Sequence, residues 1–232
     1  RLEQSGWNTV SFNASKWSQV NVANFGYANL ISTQNESVKK QEKLTVQKIF
    51  TTPKGEQVLD FGQNLSGWVV MKVKGKKGDT ITLYHAEVLD KNGNFYTDNL
   101  RAAKAQTTYV LKGDGEEVFE PHFTWQGFRY VRVVGYPGDL IKENFIAHVL
   151  HSDMQSIGMF TSSNTLINQL QHNIEWGQKG NFLDVPTDCP QRDERLGWTG
   201  DAQVFSRTAA FNKNVHPFFA KWLKDLEADQ ID

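Results

Sequence analysis

The feature that most constrains the fold is a change of hydrophobic period near Phe160. From Leu44 to about Leu150 apolar and polar residues alternate with a period of two, which is typical of strands. Turn signals such as Asn92-Gly93 and Gly113-Asp114-Gly115 separate these stretches. After Phe160 the apolar residues follow helical spacing. The sequence therefore predicts a multidomain β plus α chain, in which an antiparallel β unit precedes helices.

The β unit is predicted to be an antiparallel sandwich of roughly eight strands, because its turn signals recur about every 8–12 residues. No helix-forming stretch of useful length interrupts it, which argues against a parallel α/β sheet. The strands that the sequence marks best are Trp68–Lys74, Thr80–Glu87, Thr107–Leu111, Val118–Glu120, Phe128–Val134 and Phe145–His151.

Three helices are predicted downstream. Thr161-Ser162-Ser163 can cap the first, and the second and third span Asp201–Phe211 and Pro217–Ala228. A loop at 181–200 separates the first helix from the second. The first helix has apolar residues at helical spacing: Leu166, Ile167, Leu170, Ile174 and Trp176. Because three helices cannot close a core around the loop, we expect further chain or a partner to cover it.

The chain divides into three predicted segments. Residues 1–43 are expected to be the tail of an upstream domain, ending in a hydrophilic linker at Ser32–Lys43. The β-sandwich module is placed at 44–155 and the helical domain at 156–232. Since Ala220–Asp232 looks like an amphipathic helix that stops mid-pattern, we expect the sequence to be part of a longer chain.

Composition excludes several classes of protein. A net charge of −1 and a pI of about 6.7 argue against a nucleic-acid or anionic-membrane partner. No run approaches the ~18 apolar residues of a membrane span. Cys189 is the only cysteine, which excludes an internal disulfide and a zinc site built from several cysteines. No histidine neighbours it in sequence, so a packed, inert thiol is favoured over a nucleophile.

The chemistry is expected in the segment Asp184–Asp201, which holds five carboxylates and two arginines in eighteen positions. Pro186 and Pro190 stiffen one end, and Gly197 and Gly200 lie at the other. A solvated charged loop does not need these residues, whereas a site that holds acids at fixed separations does.

Four of the five acids in this segment also have a purely structural interpretation. Asp188 precedes Cys-Pro, where Asp often caps a turn, and Asp201 can cap the next helix. Asp193 and Glu194 are adjacent and should point apart, so one can face the site while the other pairs with an arginine. Together, however, the four acids exceed what structure alone requires.

The remaining residues of the segment are equally open to both interpretations. Arg192 and Arg195 are most simply ion-pair partners, although Arg can also bind substrate hydroxyls. Trp198 is either a core residue or a platform for a sugar ring. The spacing lacks a calcium-loop pattern and a P-loop lysine, and no histidine lies in the segment, so no metal and no cofactor are expected.

General acid and base catalysis by carboxylates fits the segment best. Cleavage of a glycosidic bond requires one protonated carboxyl beside the leaving oxygen and a carboxylate on the opposite side. Neighbouring carboxylates favour the protonated form of such an acid, and a neighbouring arginine disfavours it.

At this loop the sequence resembles the bacterial α-L-rhamnosidases, glycoside hydrolase family 78. The segment Asp188–Asp201, continuing through Ala202-Gln203, carries the strongest resemblance. The resemblance covers about residues 45–215 and includes four β-module segments: Asp60–Trp68, Ala86–Leu89, Tyr96–Arg101 and Phe123–Tyr130.

The resemblance implies an (α/α)6 barrel that begins near residue 160 and follows β-sandwich modules. It implies an inverting hydrolase that releases terminal L-rhamnose from rhamnose-containing oligosaccharides or glycosides. Glu194 would be the general acid, Asp188 and Asp201 would bind rhamnose hydroxyls, Trp198 would line the sugar pocket, and Arg192 would join them. The family's general base is a glutamate further downstream with no matching position here, so this chain alone is expected to be inactive. The resemblance leaves the oligomeric state open, and it favours a bacterial periplasmic or extracellular protein over a cytoplasmic one.

The alternative is a non-catalytic carbohydrate-binding or spacer module at 45–150. Trp68, Trp125 and Phe128 would then be sugar platforms, although the alternation directs many of these rings inward. An interaction scaffold without catalysis is a third possibility, and only the abrupt ends of the chain suggest it.

Overall fold

The computed structural model describes residues 3–28 and 30–230, and residues 1, 2, 29, 231 and 232 lie outside the described residues. The end of the amphipathic helix predicted at Ala220–Asp232 therefore falls outside them. The eight strands of the main sheet are β1 (Val38–Thr45), β2 (Lys48–Thr51), β3 (Gln57–Lys74), β4 (Thr80–Ala86), β5 (Gln106–Val110), β6 (Glu116–Phe119), β7 (Gln126–Val134) and β8 (Phe145–Ser152). Short 3-10 helices lie at Asp98–Leu100 and Lys142–Asn144.

The predicted antiparallel pairing is confirmed, but hydrogen bonds join the strands into one curled sheet rather than two separate ones. The strand order is β1-β8-β3-β7-β4-β5, and β2 and β6 also pair with β3. The cause is the length of β3. Its first half pairs with β2 and β7, its second half pairs with β8 and β6, and a register shift lies between Asp60 and Leu65. Gly62, at φ 78°, supplies the left-handed conformation at this bend.

One apolar core lies inside the curl of the sheet. Both halves of the sheet contribute to it, with Phe61, Phe128 and Phe145 among the largest buried side chains. Burial of each such ring contributes about 1.5–3 kcal/mol of hydrophobic stabilisation. The inward position of Phe128 agrees with the core interpretation of that ring.

The hydrophilic run predicted as a linker is partly a strand. β1 begins at Val38 and pairs with β8 along its length. Its position at the edge of the sheet explains the mismatch, because an exposed edge strand is commonly rich in lysine and carries little alternation. Residues 3–28 and 30–37 contain turns and extended segments but no strand or helix.

All three predicted helices are present. They are α1 (Thr165–Asn181), α2 (Thr199–Asn212) and α3 (His216–Asp229), and a two-strand hairpin of β9 (Phe182–Leu183) and β10 (Val185–Pro186) follows α1. The cap of α1 is Asn164, not the preceding Thr and Ser residues. Its side chain accepts hydrogen bonds from the N–H groups of Leu166 and Ile167. None of the helices in the described ranges is both long and apolar enough to cross a membrane.

The helical part has a small core of its own and also packs on the sheet. Phe182 stacks on Phe218 at a centroid distance of 4.6 Å. Ser66 of β3 donates a hydrogen bond of 2.6 Å to the carbonyl of Gly180 near the end of α1. The sheet and the helices thus hold the chain that leads into β9 and β10.

Candidate active site

The segment from Asp184 to Asp201 is anchored at both ends. Asp184, at φ 66°, turns the β9–β10 hairpin and receives an ion pair from Lys221 of α3 at 2.7 Å. At the other end Gly197 lies against Trp222, where a Cβ atom would come 2.5 Å from the indole nitrogen. Gly197 is therefore required for close approach rather than for an unusual backbone angle.

Two hydrogen bonds close the loop between Asp188 and Leu196. The N–H of Asp188 donates to the Leu196 carbonyl at 3.1 Å, and Asp188 Oδ1 accepts from the Leu196 N–H at 3.2 Å. One oxygen of Asp188 thus has a structural role, but it closes the whole loop at Leu196 and does not cap the local turn at Cys189-Pro190. A carboxylate has about four acceptor positions, so this bond leaves capacity for a ligand.

The closed loop brings a thiol between two carboxylates. Cys189 Sγ lies 2.6 Å from Asp188 Oδ2 and 3.4 Å from Glu194 Oε2. The thiol has one proton, and the shorter contact places it toward Asp188. Arg192 Nε donates to the same sulfur at 2.9 Å. Asp188, Arg192 and Glu194, three of the predicted site residues, thus meet around a buried cysteine that had been expected only to pack.

Two arginines contact Glu194. Arg192 Nη2 lies 3.2 Å from Glu194 Oε1, and Arg101 Nη1 forms an ion pair with the same oxygen. The Glu194 side chain is only 24% exposed. The adjacent Asp193 is exposed, so the two acids point apart, as adjacency predicts.

Burial and hydrogen bonding shift the titration of two loop residues. Burial first, and then the hydrogen bond to Asp188, raise the pKa of the Cys189 thiol to about 12. Burial alone would raise the pKa of Asp188, but hydrogen bonding with the thiol, then with Glu194 and then with the Leu196 N–H holds it below its usual value. At neutral pH the loop therefore contains an ionised Asp188 beside a protonated thiol.

Arg195 fixes the loop to the sheet instead of pairing with an acid. Its guanidinium donates to the Trp125 carbonyl at 2.9 Å and to Gln126 Oε1 at 3.2 Å. It also lies 5.0 Å from the centre of the Trp125 ring, close enough for a cation–π contact. The expectation of an ion pair is wrong for Arg195 and correct for Arg192. Trp125, covered by this guanidinium, is not an open sugar platform.

Asp201 and Trp198 lie at the start of α2. The helix begins at Thr199, and no side chain caps it, so the N-cap interpretation of Asp201 is wrong. Trp198 is 52% exposed and is not a core residue of the described chain.

A cleft of about 610 Å³ between α1 and α2 is lined by Asp188 and Asp201, but Glu194 is not among its lining residues. The carboxylate grouped with Glu194, with ligand atoms within 4.8 Å, is that of Asp188.

Asp188, Cys189 and Glu194 also form the one group of potential metal ligands found among residues 3–28 and 30–230. Their ligand atoms lie within 4.8 Å of one another. A metal would bind the thiolate form of Cys189. The absence of a metal stays a prediction.

Arg101 and Cys189 both contact Glu194, and neither was predicted as a site residue. Arg101 ends the segment Tyr96–Arg101 that carries part of the family resemblance, so a signal for it was present in the sequence. Cys189 lies inside the loop motif itself.

Sequence comparison assigns both parts of the chain to one group of proteins. The model of the bacterial alpha-L-rhamnosidase concanavalin-like domain matches residues 50–151. The model of the bacterial alpha-L-rhamnosidase 6 hairpin glycosidase domain matches residues 155–232. The chain belongs to the bacterial α-L-rhamnosidase family.

Individual members of the family agree with this assignment. An alpha-L-rhamnosidase from Streptomyces avermitilis is 44% identical over 231 residues, which cover 99% of this chain and 22% of the relative. The crystal structure of that organism's enzyme complexed with L-rhamnose has a TM-score of 0.92 at 42% identity, covering 99% of this chain and 22% of that one. An α-L-rhamnosidase structure from Aspergillus terreus has a TM-score of 0.91 at 47% identity. The match covers 97% of this chain and 26% of that one. The chain thus spans about a quarter of the length of these rhamnosidases.

Proposed function

We propose that this chain contributes the general acid to an inverting α-L-rhamnosidase, with Glu194 as the proton donor. The observation that carries the proposal is the position of Glu194: it is partly buried, and it shares the Cys189 thiol with Asp188. The match of residues 155–232 to a glycosidase domain supports this chemistry. The non-catalytic alternative lacks open platforms at Trp125 and Phe128.

Binding of the sugar is assigned to the other predicted site residues. Asp188 and Asp201 line one cleft and would accept hydrogen bonds from rhamnose hydroxyls, while the exposed Trp198 ring would pack on the sugar. Arg192 would join them through its remaining donors. The substrate is a terminal α-L-rhamnose of an oligosaccharide or glycoside, which the L-rhamnose complex of the Streptomyces relative supports.

Inversion requires a second carboxylate on the opposite face of the sugar, ~6.5–9.5 Å from the acid. We assign that general base to the part of the six-hairpin barrel that follows these three helices. The proposed division places the β module at 44–155 and the start of the (α/α)6 barrel at 156–232, close to the ranges matched in the family.

The stereochemistry of the product tests the proposed reaction. The complete protein should hydrolyse a nitrophenyl α-L-rhamnoside and release β-L-rhamnose first, as followed by proton NMR before mutarotation. Initial release of the α anomer would contradict inversion, and an absence of hydrolysis would contradict the proposed activity. Dialysis against a chelator should leave the rate unchanged, because no step uses a metal.

The sugar-binding roles are tested by calorimetry. Asp188→Asn and Asp201→Asn in the complete protein should each weaken rhamnose binding by ~1–3 kcal/mol, the cost of losing a charged hydrogen bond. If either variant bound rhamnose with unchanged affinity, that residue would have a structural role only.

A further inference from the structure

One contact crosses from the β module to the proposed acid. Arg101 lies 93 positions before Glu194 in sequence, yet its Nη1 forms an ion pair with Glu194 Oε1. Arg101 immediately follows the 3-10 helix Asp98–Leu100, and Leu100 is buried in the β module at 1% exposure. The backbone of Arg101 has φ 55°, a conformation that is unfavourable for a non-glycine residue and persists only where the surroundings hold it. The β module therefore fixes the point from which this guanidinium reaches the loop.

The two guanidinium groups contact the same oxygen. Arg101 and Arg192 both approach Oε1 of Glu194, whereas Oε2 lies 3.4 Å from the sulfur of Cys189. A guanidinium has only donor groups, so the oxygen that it contacts must act as an acceptor. When Glu194 is protonated, its proton therefore belongs on Oε2.

We propose that Arg101 is a positioning residue of the β module that, with Arg192, keeps Oε2 as the proton-bearing atom of Glu194. This inference rests on the proposed role of Glu194 as general acid. As the bond between the anomeric carbon and the glycosidic oxygen breaks, the bonding electron pair goes to that oxygen, which takes the proton from Oε2. Water forms the new bond to the anomeric carbon and gives its proton to the base. Glu194 is left as a carboxylate facing both guanidinium groups until solvent restores its proton.

A simple structural tie between the β module and the loop is the competing explanation of the contact. The two explanations differ in their dependence on the leaving group. A nitrophenolate departs readily without a proton, whereas an alkoxide needs one. A defect in proton delivery therefore selectively slows alkyl rhamnosides, and a loosened loop slows both substrates alike.

The test compares four variants of the complete protein: Arg101→Ala, Arg101→Lys, Glu194→Gln and Lys104→Ala. Lys104 is the matched control, because it is an exposed cation three residues further along the same segment. The measurements are kcat and KM on a nitrophenyl and an alkyl α-L-rhamnoside, with the melting temperature of each variant. Arg101→Lys also serves if Arg101→Ala does not fold.

If Arg101 positions the acid, Arg101→Ala should lower kcat on the alkyl rhamnoside by roughly tenfold, which is only part of the ~10²–10⁴-fold contribution of general acid catalysis as a whole. It should lower kcat on the nitrophenyl rhamnoside by less than about threefold, and Arg101→Lys should recover part of the loss because it restores a cation. Lys104→Ala should match the wild type.

The positioning role would be overturned if Arg101→Ala lost kcat equally on the two substrates. A changed melting temperature with unchanged kcat would overturn it too. If Arg101→Ala kept wild-type kcat while Glu194→Gln lost activity on the alkyl rhamnoside, the positioning role of Arg101 would be overturned and the proposed role of Glu194 would stand. If Glu194→Gln retained activity on the alkyl rhamnoside, the proposed function of Glu194 would fail as well.

Discussion

At the scale of single residues, Cys189 is the centre of the carboxylate loop. The side chains of Asp188, Arg192 and Glu194 all contact its sulfur. A hydroxyl at this position would be shorter and less polarisable, and it would not reach all three groups equally. The cysteine thus links both acids to Arg192, and its raised pKa disfavours the thiolate that a nucleophile requires.

The reactivity of Cys189 toward thiol reagents is a first prediction. With the thiol buried and its pKa raised to about 12, labelling of the native protein at pH 8 should be about three orders of magnitude slower than in denaturant, since the thiolate is the reactive form. Mass spectrometry of the peptide that contains Cys189 measures the rate. Labelling at the same rate in both states would show that the thiol is exposed and ionisable.

At the scale of secondary-structure elements, strand β7 serves as the docking surface for the loop. Gly127 packs against the backbone of Gln191, and the neighbouring Trp125 and Gln126 hold Arg195. A Cβ atom on Gly127 would come 2.9 Å from the Gln191 nitrogen, closer than side chains normally approach.

Gly127→Ala should therefore displace the loop, at a cost of about 1–3 kcal/mol, and reduce turnover by the complete protein. Gly67→Ala is the comparison, because its Cβ would come 1.9 Å from the His148 carbonyl inside the sheet and should mainly lower the melting temperature. Kinetics and thermal unfolding of both variants separate the two effects. Wild-type turnover of Gly127→Ala would contradict the docking of the loop on β7.

Alternation and turn residues were enough to predict the antiparallel strands, and helical spacing was enough to predict the three helices. The composition of Asp184–Asp201 also located the loop. The edge strand β1 was missed because it is mostly exposed and polar. The contacts of Arg195 with Trp125 and of Glu194 with Arg101 were missed because these partners lie about 70 and 93 positions away, and only the folded sheet brings them together. Sequence periodicity reports local structure and carries no information on such distant contacts.

At the scale of the whole molecule, Glu42 joins the sheet to the helices. It extends from β1 to form an ion pair with Lys179 of α1, and its other oxygen lies 3.7 Å from His151 Nε2 of β8. The His151 interaction first, and then Lys179, lower the pKa of Glu42 to about 2 against the opposing effect of burial.

A carboxyl whose pKa is lowered on folding stabilises the protein above its unfolded pKa, and this contribution disappears as the pH falls toward the folded value. The melting temperature of the wild type should therefore exceed that of Glu42→Gln at pH 7, and the difference should shrink between about pH 4.5 and about pH 2. Glu143→Gln, which changes an exposed carboxylate, is the control. A difference that stays constant with pH would contradict the linkage.

The central claim is that Glu194, and not its neighbour, delivers the proton. The most direct measurement compares kcat/KM of Glu194→Gln and Asp193→Asn in the complete protein on an alkyl α-L-rhamnoside. Glu194→Gln should lose ~10²–10⁴-fold in kcat/KM, whereas Asp193→Asn, whose carboxylate is exposed, should keep near wild-type turnover. Comparable activity in the two variants, or a larger loss for Asp193→Asn, would contradict this claim.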